Sequence, residues 1–215
     1  MNLPFSRPEF LQVFSDFNQS IWPLQWITAA LGVLAVGLLV SGQAWKHRAI
    51  ASILSAFWLI TGAGYHWLFF ARINPAAYLF GSLFVIAALL FLIEGIARDR
   101  IRFRLPRGVS GWMPLALMGY ALVLYPVVGL AATHPYPETP LFGVAPCPTT
   151  IFTLALLTGA YHPRPMLLAA VPLLWAVVGG SAAILLDMPQ DWGLIAGGFV
   201  WVIEWIRRRS GSHSA

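Results

Sequence analysis

The stretch FLIEGIARDRIRFRLPR, residues 91–107, decides the fold. It closes an apolar run that begins near residue 76, about the 20 residues that a helix needs to cross a hydrocarbon core. It then turns abruptly basic, with Arg98, Arg100, Arg102, Arg104 and Arg107 in one short link. A greasy helix that stops at an arginine cluster is the pattern of a membrane span ending on the cytoplasmic side.

The rest of the chain agrees. It has 215 residues, of which 59% are hydrophobic and only 10% charged, with a mean hydropathy of +0.74. A soluble domain carries roughly 25% charged residues. The net charge of +5 comes from residues flanking apolar runs, so it reads as a topology signal and not as a nucleic-acid surface. The single cysteine excludes an internal disulfide and a CxxC metal site. The first 20 residues lack a basic stretch followed by an apolar core, and no cleavable signal peptide is expected.

Seven apolar segments are predicted as helices, at 21–41, 49–70, 76–97, 111–132, 148–161, 166–187 and 191–206. Short links make them neighbours in one all-α transmembrane domain over 1–210, with a disordered tail at 211–215. Lys46, Arg48, the 98–107 cluster, Arg164 and Arg207–Arg209 fall on one side; Arg7 and Arg72 fall on the other. The N-terminus is therefore expected outside and the C-terminus in the cytoplasm, in the inner membrane of a cell. Phe10, Leu11, Phe14 and Phe17 make one apolar stripe on 8–20, read as an amphipathic helix on the outer surface.

The 91–100 pattern returns as WVIEWIRRR at 201–209. Prolines open the first and fifth segments, and KHR and YHPR follow them. Two readings stay open: a 3+1+3 tandem repeat with the fourth helix as linker, or the shared need for arginine at every inward helix end. Glu94 and Glu204 hold equivalent places near helix C-termini, where a carboxylate opposes the macrodipole. They are read either as i,i+4 salt bridges, Glu94–Arg98 and Glu204–Arg208, or as an ion or proton pair. The 3+1+3 plan looks like that of the sugar-exporting and PQ-loop transporters, but the one Pro-Gln pair, Pro189–Gln190, lies outside that family's helix position.

A second stretch carries the chemistry: HPYPETPLFGVAPCPTTIF, residues 134–152. The helix after it has about 14 residues, roughly 21 Å, against a core of about 30 Å. The five prolines, His134, Tyr136, Glu138, Cys147, Thr149 and Thr150 should then descend to meet it and wall an outward-facing pocket. Free amides at that helix start favour thiolate at Cys147. Tyr65, His66, Asn74 and Asp187 should reach the same side. His66, His134 and Cys147 are the candidate metal ligands, though they share no tight motif and no metal site is assigned.

YHWLFFARINPA (65–76) and PLFGVAPCPTTIFTLALL (140–157) resemble a bacterial family of small multi-pass membrane proteins of unknown function, whose members are sometimes labelled permeases. The resemblance implies a fold and a site region. The expected function is a small-solute transporter or permease for a neutral or apolar ligand. The alternative is a membrane-embedded sensor or enzyme built on an outer His/Cys/Glu cluster. No retinal lysine, HExxH, GxSxG or glycine-rich phosphate loop occurs. An enzyme is the weaker expectation and no cofactor is implied. The lipid bilayer is the expected partner, with homo-oligomers open and no nucleic acid.

Overall fold

The computed structural model describes residues 4–106, 111–131 and 135–211, and these are helical apart from turns and one isolated bridge, Arg102 with Tyr161. His134, Arg107 and the tail at 212–215 lie outside the described residues. Eight helices follow in order: α1 (Arg7–Ser20), α2 (Leu24–Val40), α3 (Lys46–Arg72), α4 (Ala77–Ala97), α5 (Trp112–Ala131), α6 (Pro146–Gly159), α7 (Pro165–Leu185) and α8 (Trp192–Gly211). Among the described residues, four of them, α3, α4, α5 and α7, are long and apolar enough to cross a membrane. A fifth span exists if α1 and α2, bent by 88° at their junction, count as one.

α1 begins at a capping box. Ser6 N–H donates to Glu9 Oε2 at 2.7 Å, and the Glu9 N–H returns a bond to the Ser6 hydroxyl. Its aromatic stripe is covered by protein: Phe14 stacks on Tyr65 at 4.8 Å between ring centroids, and Phe17 packs edge-on to Tyr65 and tilted against Phe69. The stripe expected to rest on lipid is thus turned onto α3.

Three helices widen into π turns, at Ile60–Phe69 in α3, Phe91–Ala97 in α4 and Tyr120–Leu124 in α5. The α5 turn has a visible cause. Pro126 lacks an N–H and its ring would strike the carbonyl four residues earlier, and the wider turn just before it relieves the clash. In α3, Gly62 lies against Phe84 and the Gly81 carbonyl, and Gly81 faces the Trp67 indole, so α3 and α4 approach closely there.

α6 is the centre. Every residue from Pro146 to Thr158 is buried, with α5, α7 and α8 packed around it and α3 crossing it. Trp58 Nε1 donates to Thr153 Oγ1 at 2.9 Å, a polar tie in the middle of the bundle. Arg208 donates to the Thr158 and Ala160 carbonyls, closing the C-terminal end of α6 with a cation. Lys46 does the same for α2, donating to Leu39 O at 3.1 Å and Ser41 O at 2.6 Å. α6 packs on both α7 and α8, whereas α2 packs on α3 and has at most slight contact with α4. The two three-helix units are therefore not packed alike.

Candidate functional site: an aromatic cavity beneath α1

The segment between α5 and α6 enters the bundle. Thr139 and Pro140 are buried, and so are Phe142 to Cys147. Such backbone needs partners, and α1 and α2 supply them. Asn18 Nδ2 donates to the carbonyls of Pro137 and Thr139 at 2.7 and 2.9 Å. Gln25 Nε2 donates to Asn18 O at 2.6 Å, and Thr28 Oγ1 to Phe142 O at 3.0 Å. Phe142 is wedged edge-on between Phe57 and Phe152. Gly143 takes φ +77° and lies against Thr28, so a side chain is excluded there by both backbone and space.

This descent delivers Cys147 to a cavity of about 170 Å³. Its roof is Phe10 and Phe14 of α1; its walls are Tyr65, Phe70, Phe80 and Trp175. Asn74 lies at its edge, its Oδ1 also accepting from the Ala76 N–H at 3.1 Å. No charged side chain lines it. For scale, an apolar cavity of about 150 Å³ holds benzene.

Behind the cavity stands a buried acid. Tyr125 Oη donates to Asp191 Oδ1 at 2.6 Å, and the Cys147 thiol faces the same carboxyl and Trp175. Tyr120 Oη anchors the turn that carries Asp191, donating to Gln190 O at 2.7 Å. Cys147 is 8% exposed, enclosed by carboxyl, phenol and indole. The free amides expected to favour its thiolate thus share the site with a buried carboxyl. His66 is fully buried behind Trp175, its ring 5.0 Å from the indole and 4.8 Å from Phe84. Neither of its ring nitrogens has a partner, nor does the buried Thr149 hydroxyl.

Of the residues expected at the site, Tyr65, Asn74 and Cys147 meet at the cavity, with His66 adjoining. Thr150 is turned back on its own helix, donating to Pro146 O at 2.9 Å. Tyr136 lies at the surface, 47% exposed and edge-on to Trp22. Glu138 is half-buried in the turn before the descent, outside the cavity lining. Asp187 is a surface residue near Arg7, at 3.7 Å, with a side chain 86% exposed. Among the described residues no three His, Cys, Asp or Glu side chains gather as metal ligands.

Sequence reasoning missed Asp191, Tyr125 and Trp175. An Asp at a helix start after Pro-Gln reads as a solvated cap, and nothing in the local sequence tells that the turn folds inward.

At the far end the two glutamates take different partners. Glu94 is 4% exposed and meets Arg98, Arg100 at 3.6 Å and His162 Nε2 at 3.1 Å. The Arg164 N–H donates to His162 Nδ1, which places the ring proton on Nε2, pointing at Glu94. Glu204 pairs with Arg207 at 2.7 Å, three residues on. The Glu204–Arg208 pair expected from spacing does not form, because Arg208 is held by the end of α6.

A family model matches residues 7–213. The chain belongs to DUF6064, a family of unknown function. No curated protein and no solved structure matches it.

Proposed function

We propose that this DUF6064 protein is a multi-pass inner-membrane protein that binds a small, neutral, largely apolar solute in the cavity beneath α1, from the outer side. The observation that carries this reading is a 170 Å³ aromatic cavity without a charged lining residue, placed where an irregular segment enters the bundle. In the same proposal α2 to α8 are seven spans with the N-terminus outside. The charge distribution supports it: Lys46, Arg48, Arg98 to Arg104, Arg164 and Arg207 to Arg209 gather at one end, leaving Arg7 and Arg72 at the other.

Retention or sensing of the solute is favoured over permeation. Below the cavity lie Trp58, Phe84 and Phe91, all fully buried, with Trp58 tied to Thr153. A solute apolar enough to prefer phenylalanine walls also crosses a bilayer unaided. The test is ligand-detected NMR of the protein in nanodiscs with toluene, empty nanodiscs serving as control. Saturable binding that is lost in Val178→Trp, which fills the cavity, supports the reading; equal signal with and without protein rejects it. Efflux of toluene from proteoliposomes faster than from empty liposomes would restore permeation.

A further inference from the structure

The cavity holds two hydrogen-bond donors with nothing to donate to. Tyr65 is 1% exposed and its hydroxyl has no partner. Trp175 is 9% exposed and its indole N–H likewise lacks a hydrogen-bond partner, with only the Cys147 sulfur, a weak acceptor, interacting with it. Both side chains line the same space; Asn74 and Ser181, each already bonded to backbone, and Cys147 also line it, and the rest of the wall is aromatic or aliphatic. A buried donor left unsatisfied is costly, and native proteins retain few of them.

From these orphaned donors we infer that the cavity is selective for a neutral ligand with an apolar, flat body and one exposed acceptor oxygen: a ketone, aldehyde or other carbonyl compound. The chemistry narrows the class. An indole N–H only donates, so the facing ligand atom must accept. The lining has no cation, so a carboxylate or phosphate would be desolvated without compensation. A ligand cation finds no carboxylate among the lining residues, since Asp191 is engaged behind them by Tyr125. The stacked rings of Phe5 and Phe10, at 5.7 Å, and of Phe14 and Tyr65 offer flat faces to an aromatic body. The inference rests on the binding reading above and adds its selectivity.

The experiment uses an isosteric pair, acetophenone and α-methylstyrene, which differ in C=O against C=CH₂. Each is titrated against the full chain in nanodiscs by ligand-detected NMR. Acetophenone is expected to bind at least about tenfold tighter, ~1.4 kcal/mol. In Tyr65→Phe that preference should fall several-fold while α-methylstyrene binding stays unchanged. The same variant, without ligand, should melt no lower than the wild type, because the lost hydroxyl had no partner. Trp175→Phe gives a second loss of preference. Equal binding of the two probes to the wild type overturns the selectivity and leaves the cavity reading standing. Binding of neither probe removes both.

Discussion

Tyr125 Oη stands 2.6 Å from Asp191 Oδ1, and both side chains are buried, at 1% and 2% exposure. No cation pairs with this carboxyl among the described residues, so the phenol and the Cys147 thiol are its polar support. Tyr125→Phe keeps the ring and removes the donor. It should destabilise the protein by about 1–3 kcal/mol, the cost of stranding a buried acceptor. Asp191→Asn in the same background should recover part of that loss. Denaturant unfolding in detergent measures both, and equal stability of Tyr125→Phe and wild type would contradict the assignment.

The Trp58–Thr153 bond joins α3 to α6 at mid-bundle. A double-mutant cycle with Trp58→Phe and Thr153→Val should return a coupling near 0.6 kcal/mol and not above about 1.7, the range seen between membrane helices. Zero coupling would mean that each group finds another partner once released.

Glycines separate into two kinds. A methyl at Gly159 would run into the Arg104 carbonyl, backbone that cannot step aside, and the Pro106 ring. Gly159→Ala should abolish folded expression. Gly37 and Gly119 have open space where a Cβ would go, so alanine there should be neutral or stabilising by up to about 1 kcal/mol. Detergent-solubilised yield and melting temperature read both outcomes.

Glu94 and Glu204 look equivalent in sequence and differ in setting. Glu94→Gln weakens contacts to Arg98, Arg100 and His162 and should cost about 1.5–3 kcal/mol. Glu204→Gln loosens one pair to an exposed Arg207 and should cost no more than about 1 kcal/mol. Equal losses would imply that the spacing, and not the surroundings, sets their worth.

Asp99, just past the end of α4, supplies a pH test. Its carboxyl is held below its usual range by the hydrogen bond from Arg102, at 2.8 Å, with the Arg102 and Arg48 charges adding to it. A depressed folded value means that the contribution is present above the unfolded value, near 3.9, and is lost as pH falls through the lower folded one. Asp99→Asn should melt below wild type at pH 6 and converge with it towards pH 3. Asparagine tolerates the left-handed backbone here, φ +50°, so the comparison isolates charge. A gap unchanged from pH 6 to pH 3 would count against it.

The helical plan was partly legible because long apolar runs form helices, and four of those runs are helices long and apolar enough to cross a membrane. A descent was expected over residues 134–147; Thr139, Pro140 and Phe142 to Cys147 are buried, Tyr136 stays at the surface, and His134 lies outside the described residues. The π turn of α3 was not legible, since it lies where α3 and α4 approach closely at Gly62 and Gly81, whereas the one in α5 precedes a proline that the sequence shows. Asp191 was not, because its burial depends on Tyr120 and Tyr125, some seventy residues away. Glu204 misled for the opposite reason: local spacing proposed Arg208, and a distant helix end claimed it.

The enclosure of α6 has a consequence for biosynthesis in a membrane-spanning chain. A span normally leaves the translocon once its own greasiness repays the transfer. α6 is short, opens with two prolines and carries Thr149, Thr150, Thr153 and Thr158, so by itself it is a poor candidate for partitioning into lipid. Thr150, Thr153 and Thr158 find hydrogen-bond partners along the helix's own turns and on α3, while the carbonyls of Thr158 and Ala160 at its end accept from Arg208, about fifty residues later. Under the seven-span proposal, α6 is not fully capped until α8 has been made. A released chain ending at residue 165 should leave this segment accessible to aqueous thiol reagents at Cys147, and the full-length chain should bury it.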